Sequence, residues 1–150
     1  MLRDTIQNAL KEAMKNKDTK IVSATRLIVA GIKNKDVDAR TKGEKEATEA
    51  DILSLMQSMI KQRKESLKIY EDANRPELAA KEQDEIDVIQ TFLPKQLGDA
   101  ETEAVIKAII QETCATSAKD MGKVMAELKT KYSGKMDFST VSGKVKALLS

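Results

Sequence analysis

Histidine and tryptophan are both missing from this chain of 150 residues. Without histidine there is no imidazole to act as general base or metal ligand, and Ser-His-Asp or Cys-His nucleophilic machinery is excluded. Cys114 is the one cysteine, so no internal disulfide forms; a reducing compartment, read as the cytoplasm, is expected. Tyr70, Phe92, Tyr132 and Phe138 are the only aromatic residues, too few to stack the bases of a single strand. No alternating run of β-branched residues lies between turn pairs, so no sheet is expected. The apolar runs, such as Leu27 to Ile32, are too short to cross a bilayer. Met1 to Lys20 is charged and amphipathic with no apolar h-region, and reads as no signal peptide.

What is present is helix-forming. Hydrophobic residues make up 41% of the chain and charged residues 33%, with two prolines and six glycines to interrupt them. Ala, Leu, Lys, Glu, Met and Gln dominate, which predicts an all-α fold of solvent-laced helices. The spacing predicts a first helix over Leu2 to about Lys15, with Leu2, Ile6, Ala9, Leu10, Ala13 and Met14 on one face. Asp18 or Thr19 caps a second, carrying Ile21, Val22, Ala24, Leu27, Ile28 and Ile32 inward. The polar stretch Asn34 to Ala47, broken by Gly43, reads as a mobile loop. Thr48 and Asp51 resemble a capping box, opening a third helix that runs to about Ala73. Arg75-Pro76 ends it, and Pro76 suits the first turn of a fourth helix, to about Thr91, with Leu78, Ala79, Ile86, Ile89 and Phe92 inward. These elements predict an N-terminal four-helix unit with a long hairpin over residues 1–94. Pro94 and Gly98 then mark a boundary. Residues 95–150 are expected to form a three-helix bundle: about Ala100 to Thr113 behind Asp99, Ala118 to Lys131 behind a Ser117–Asp120 box, and Ser139 to Leu149.

Net charge is +2, below the strong footprint typical of nucleic-acid domains, but its distribution is uneven. From Met1 to Lys35 eight basic residues face three acidic ones, a net +5; from Lys119 to Ser150 seven lysines face three acidic residues, a net +4. Lysine-rich ends of this kind either contact phosphate or are solvated faces. Arg63, Ser66 and Tyr70 follow spacings of three and four and share a helix face. Glu82 and Glu85 on the next helix are placed to meet Arg63 across the hairpin. This cluster is read chiefly as a structural ion pair fixing the hairpin's register, and secondarily as a polar site in a groove. Gly122 is expected to permit close helix packing and Gly134 to end a helix in a left-handed cap; neither matches a nucleotide loop. The acidic residues lack a dedicated metal-ligand spacing. No catalytic residue, metal or cofactor is therefore assigned, and Cys114 is read as inert.

Ile60-Lys61-Gln62-Arg63-Lys64-Glu65-Ser66, with Tyr70 and Ala73-Asn74-Arg75-Pro76-Glu77-Leu78-Ala79, resembles the YqeY family. So does the stretch from Glu82 through Phe92-Leu93-Pro94-Lys95-Gln96-Leu97. Asp120-Met121-Gly122-Lys123-Val124-Met125 and Tyr132-Ser133-Gly134-Lys135-Met136-Asp137 resemble the closing segment that YqeY-like proteins share with the B subunit of the tRNA-dependent amidotransferase. The resemblance runs from Arg3 to Leu149 and implies a helical hairpin domain followed by a three-helix tail. It also implies a glutamine-dependent carbon–nitrogen ligase label, although neither the ATP-using cradle of the B subunit nor the Ser-Ser-Lys amidase domain of the A subunit is present in this sequence. In the amidotransferase the corresponding tail is associated with tRNA. Lys123 and Lys135 fall in the matching segments and Lys131 between them, which makes these three the candidate RNA contacts. The leading expectation is a non-catalytic accessory module binding tRNA or an RNA-processing partner through its tail. The alternatives are a component that assists amidation of aminoacyl-tRNA within a complex, and a protein-docking module. No membrane association is expected.

Overall fold

A computed structural model describes residues 1–149, and over them the chain is all-helical. Seven α-helices follow in order among the described residues: α1 (Leu2–Lys15), α2 (Thr19–Thr41), α3 (Glu49–Asp72), α4 (Pro76–Gln90), α5 (Asp99–Glu112), α6 (Met121–Lys131) and α7 (Phe138–Leu149). A short 3₁₀ turn, Ala118–Asp120, leads into α6. No described helix is long and apolar enough to cross a membrane. The chain divides into two compact units, one over Met1–Pro94 and the other beginning at Lys95.

Side-chain caps set several helix starts. The Asp18 carboxylate accepts from the Ile21 N–H at 3.2 Å. Thr48 Oγ1 accepts from the Asp51 N–H while the Asp51 carboxylate accepts from the Thr48 N–H, closing the capping box. That exchange holds the Asp51 carboxyl below its ordinary pKa. Pro76 occupies the first turn of α4, where its missing N–H costs no intrahelical bond. Asp120 accepts from the N–H groups of Thr116 and Ser117. α5 starts one residue earlier than expected, with Gly98 rather than Asp99 at the cap.

Of the stretch expected as a loop, residues 34–41 are helical and only 42–47 form the connection. α2 continues to Thr41, because its inward stripe Ile28, Ile32, Asp36, Ala39 keeps helical spacing with a carboxylate in one apolar place. Arg3 on α1 makes that carboxylate tolerable. Its Nη1 and Nη2 each donate to one Asp36 oxygen at 2.8 Å, and Nη2 also donates to the Ala47 carbonyl at 3.2 Å. The Ala47 N–H donates in turn to Asp36 Oδ1 at 2.9 Å. α2 stops at Gly43, whose φ of 84° lets the Glu44 N–H reach Ala39 O and its own N–H reach Arg40 O, the Schellman pattern. Lys17, Asn74 and Cys114 hold the same left-handed place after α1, α3 and α5, with φ of 53–56°.

In the first unit α3 and α4 pack as a hairpin, with α2 against α1, α3 and α4. Ile6, Ile28, Ile32, Ile52, Met56, Met59, Ile60, Ile86 and Ile89 form its core. A Cβ on Gly31 would lie 3.0 Å from Leu55 Cδ2, so Gly31 is where α2 approaches α3 closely. Gly122 does not serve that purpose: a Cβ there would meet nothing. Met14, Leu27 and Leu78, expected on inward faces, are exposed. In the second unit α5, α6 and α7 pack pairwise around Ile106, Ile109, Val124, Leu128, Met136, Val141, Val145 and Leu149.

The Asp36 carboxyl is lowered to about 2, first by the Arg3 hydrogen bonds and next by the Ala47 N–H. A depressed carboxylate contributes stability that is present above its unfolded pKa near 4 and is lost as pH falls toward 2. Asp36→Asn should therefore cost about 1–2 kcal/mol in urea unfolding at pH 7 and flatten the acid limb between about pH 4 and pH 2; an unchanged acid limb would refute the assignment. Cys114→Gly, at an exposed left-handed position, should raise stability by about 0.5–1 kcal/mol in the same measurement.

Candidate functional site

The polar cluster on the hairpin is centred on one ion pair. Arg63 on α3 donates from Nε to Glu85 Oε2 on α4 at 2.8 Å, and both side chains are 14% exposed. Arg63 Nη1 also donates to the Met59 carbonyl one turn back at 3.1 Å, so the guanidinium is held by its own helix and by the partner helix together. Of the two glutamates placed to meet Arg63, Glu82 is not the one it pairs with. The two glutamates lie three positions apart on the same face, and the register of the hairpin selects the later one. Ser66 and Tyr70 lie half-buried along α3, and the structure gives neither a hydrogen bond to the Arg63–Glu85 pair. The polar cluster thus resolves into a two-residue clamp, with Glu85 rather than Glu82 as the acidic partner.

The tail lysines sit on α6 and on the connection after it. Lys123 Nζ donates to the Thr113 carbonyl at 3.1 Å, capping the C-terminal end of α5, where a cation is favoured by the helix dipole. Lys131 Nζ pairs with Glu112 at 2.9 Å and Glu127 at 3.8 Å. Those carboxylates raise its pKa, the Glu112 hydrogen bond most. Lys123 and Lys131 thus converge on the last turn of α5. Lys135 is exposed, and its backbone is fixed: the Leu97 N–H donates to its carbonyl at 2.9 Å, and Gln96 Nε2 donates to the Gly134 carbonyl. Gly134 is buried with φ of 77°. The two motif segments around Gln96-Leu97 and Gly134-Lys135 are thereby bonded to each other, a relation their sequence distance concealed.

Charge within the second unit is segregated. α5 carries Asp99, Glu101, Glu103 and Glu112 against Lys107, whereas residues from Lys119 onward are net basic. Lys131–Glu112 and Lys144–Asp99 tie the two sets together at 2.9 and 3.4 Å. Among the described residues no three His, Cys, Asp or Glu side chains are grouped to hold a metal ion.

Sequence reasoning missed two features. The Arg3–Asp36–Ala47 bonds escaped because a charged residue at an inward position masked the helical period. The second is an open groove of about 750 Å³ in the first unit, lined by the end of α1, the start of α2 and one face of α4. Its signal was present in Met14 and Leu27, apolar residues at the edge of their helix faces.

The family model described as "Yqey-like protein" matches residues 3–149. The chain is also similar to fungal proteins named "Altered inheritance of mitochondria protein 41, mitochondrial". That of Vanderwaltozyma polyspora is 35% identical over 88 residues, covering 59% of this chain and 46% of the relative. The Lachancea thermotolerans protein is 32% identical over 109 residues, covering 71% of this chain and 57% of the relative. The Pyrenophora tritici-repentis protein is 27% identical over 149 residues, covering 96% and 78%. The chain spans about half the length of the first two. The cytoplasmic location expected from the lone cysteine is overturned by these relatives, each named as mitochondrial. A single thiol argues against an oxidising compartment but does not distinguish among the others.

The clamp generates a double-mutant prediction. Arg63→Ala and Glu85→Ala should each destabilise by about 1–3 kcal/mol, because each strands a largely buried charge, with a coupling of about 1 kcal/mol or more in the cycle. Glu82→Ala should be close to neutral in the same unfolding assay. Additive, near-zero effects of Arg63→Ala and Glu85→Ala would show that the pair does not hold the hairpin.

Proposed function

Since the chain belongs to the YqeY-like family, we propose that it is an accessory binding module whose second unit engages the phosphate backbone of tRNA. The observation that carries this reading is the concentration of lysines on α6, the following connection and α7, against an acidic α5. The resemblance of these same segments to the amidotransferase tail supports tRNA as the polyanion. Lys123, Lys131 and Lys135 supply point charges with little base preference. The Lys131–Glu112 pair is exposed, and exposed pairs are weak, so an incoming phosphate can exchange for the carboxylate. Lys135 projects from a main chain held on both flanks. Recognition of this type reads backbone and shape and is sensitive to salt.

The experiment is fluorescence anisotropy of labelled tRNA with the full chain over a salt series. Replacing Lys123, Lys131 and Lys135 together by Gln should weaken binding about tenfold or more at low salt and make the salt slope shallower by roughly two to three. The same replacement of Lys11, Lys64 and Lys68, exposed in the first unit, should have a smaller effect. Equal tRNA binding by wild type and the tail variant would remove the second unit as the RNA site.

A further inference from the structure

The groove of the first unit is a surface of a different kind. Met14 and Lys17 contribute from the end of α1, Val22, Arg26 and Leu27 from the start of α2, and Lys81 and Glu85 from α4. Its apolar part is open to solvent: Met14 is 52% exposed and Leu27 42%, although both extend the helix faces that elsewhere form the core. Lone exposed apolar residues are ordinary, but here they meet in one concavity together with Val22.

The charges around this floor are unbalanced, and the reason is geometric. α4 contributes one carboxylate to the lining, Glu85, and it is committed, as is its neighbour Asp84 outside the lining. Asp84 pairs with Lys20 at 3.3 Å and Glu85 with Arg63 at 2.8 Å. Lys17, Arg26 and Lys81 are all exposed, and none of the three is ion-paired to a carboxylate among the described residues. Lys17 is also fixed in place, because it holds the left-handed position that ends α1. The result is an apolar floor with a cationic rim.

We infer that this groove docks an acidic amphipathic helix of a partner protein, with its apolar stripe on Met14, Val22 and Leu27 and its flanking carboxylates on Lys17, Arg26 and Lys81. Each feature selects this occupant over others. A nucleic-acid backbone offers no apolar stripe to cover the floor, and a bilayer surface is flat where this surface is concave. Small-molecule sites enclose most of their ligand, whereas this groove is lined largely by exposed residues. A helix laid in a groove satisfies both the apolar and the charged requirement at once, reading out at spacings of three and four. Charge complementarity of this arrangement governs partner choice and association rate, while the apolar contacts carry the residence time.

The test uses the full chain and a fluorescein-labelled peptide of about five helical turns, with Leu at helical spacing on one face and Glu on the flanks. Two control peptides replace every Leu by Ser or every Glu by Lys. The acidic amphipathic peptide should bind with amide shift changes in heteronuclear NMR confined to the groove, at Met14, Ser23, Leu27 and Lys81. Replacing Lys17, Arg26 and Lys81 together by Glu should weaken binding about tenfold or more, and Leu27→Asn should do so independently. All four positions are exposed, and unchanged far-UV circular dichroism confirms that the variants fold. The proposal fails if the Leu-to-Ser peptide binds equally well, since that is charge attraction alone. It fails if the acidic amphipathic peptide shifts no groove residue. It also fails if the chain dimerises through this face, seen as concentration-dependent sedimentation abolished by Leu27→Asn. Tail variants defective in tRNA binding should bind the peptide normally, so the two sites fail or stand separately.

Discussion

Arg3, Asp36 and Ala47 make the contact on which the first unit turns. The bidentate pair joins residues 33 apart, and the two Ala47 bonds bring in a third segment. An ion pair removed from water is favourable only when its remaining lone pairs are filled. Here both Asp36 oxygens are occupied, one by Arg3 and the other by Arg3 and the Ala47 amide together. The consequence reaches beyond the pair. It permits a carboxylate in the inward stripe of α2, so α2 runs on to Thr41, and it fixes Ala47 immediately before the capping box that starts α3. The Leu2 N–H adds a bond to Glu49 at 3.0 Å, tying the first turn of α1 to the first turn of α3.

From that fixed start α3 extends as one arm of the hairpin, and two contacts set how its neighbours meet it. Gly31 allows α2 to approach until Leu55 fills the place of a side chain. Farther along, Arg63 selects Glu85 and so sets the register of α4. An apolar pair would pack as well but would choose less sharply among registers one turn apart, because Leu, Ile and Met interchange readily in a core. The use of Glu85 for this clamp also commits the one carboxylate that α4 contributes to the groove lining.

The helices and most of their ends were legible because they depend on local chemistry. Asp18, Thr48 with Asp51, and Pro76 each act within one turn of their own position, so the sequence carries the whole signal. The extension of α2 was hidden because its evidence is not local: Asp36 reads as a polar loop residue until Arg3, distant in sequence, is placed beside it. The choice of Glu85 over Glu82 is hidden for the same reason, since both satisfy the helical spacing and only the packed register separates them. Lys17 and Cys114 end their helices from left-handed positions without glycine, yet both ends fall where the helical period stops. Lysine positions on α6 were readable, but their engagement with the end of α5 was not, because a lysine stem spans distances that sequence spacing does not measure.

The two proposed surfaces differ in the physics that would hold a partner, and this separates them more sharply than their location does. On the second unit the cations stand on α6 and the connection after it and are partly satisfied by α5, so a polyanion would gain chiefly by releasing its counterions, a term that decays steeply with salt. In the groove, the three cations surround apolar surface that is exposed in the free chain. Burial of that surface is insensitive to screening, while the rim charges are screened over roughly 8–10 Å at ordinary ionic strength. A partner in the groove should thus lose association rate with salt while keeping most of its residence time. A tRNA on the tail should lose affinity throughout. Under these two proposals the charge segregation that looks similar at both ends of the sequence would serve unlike chemistry, with apolar side chains among the cations as the distinguishing feature.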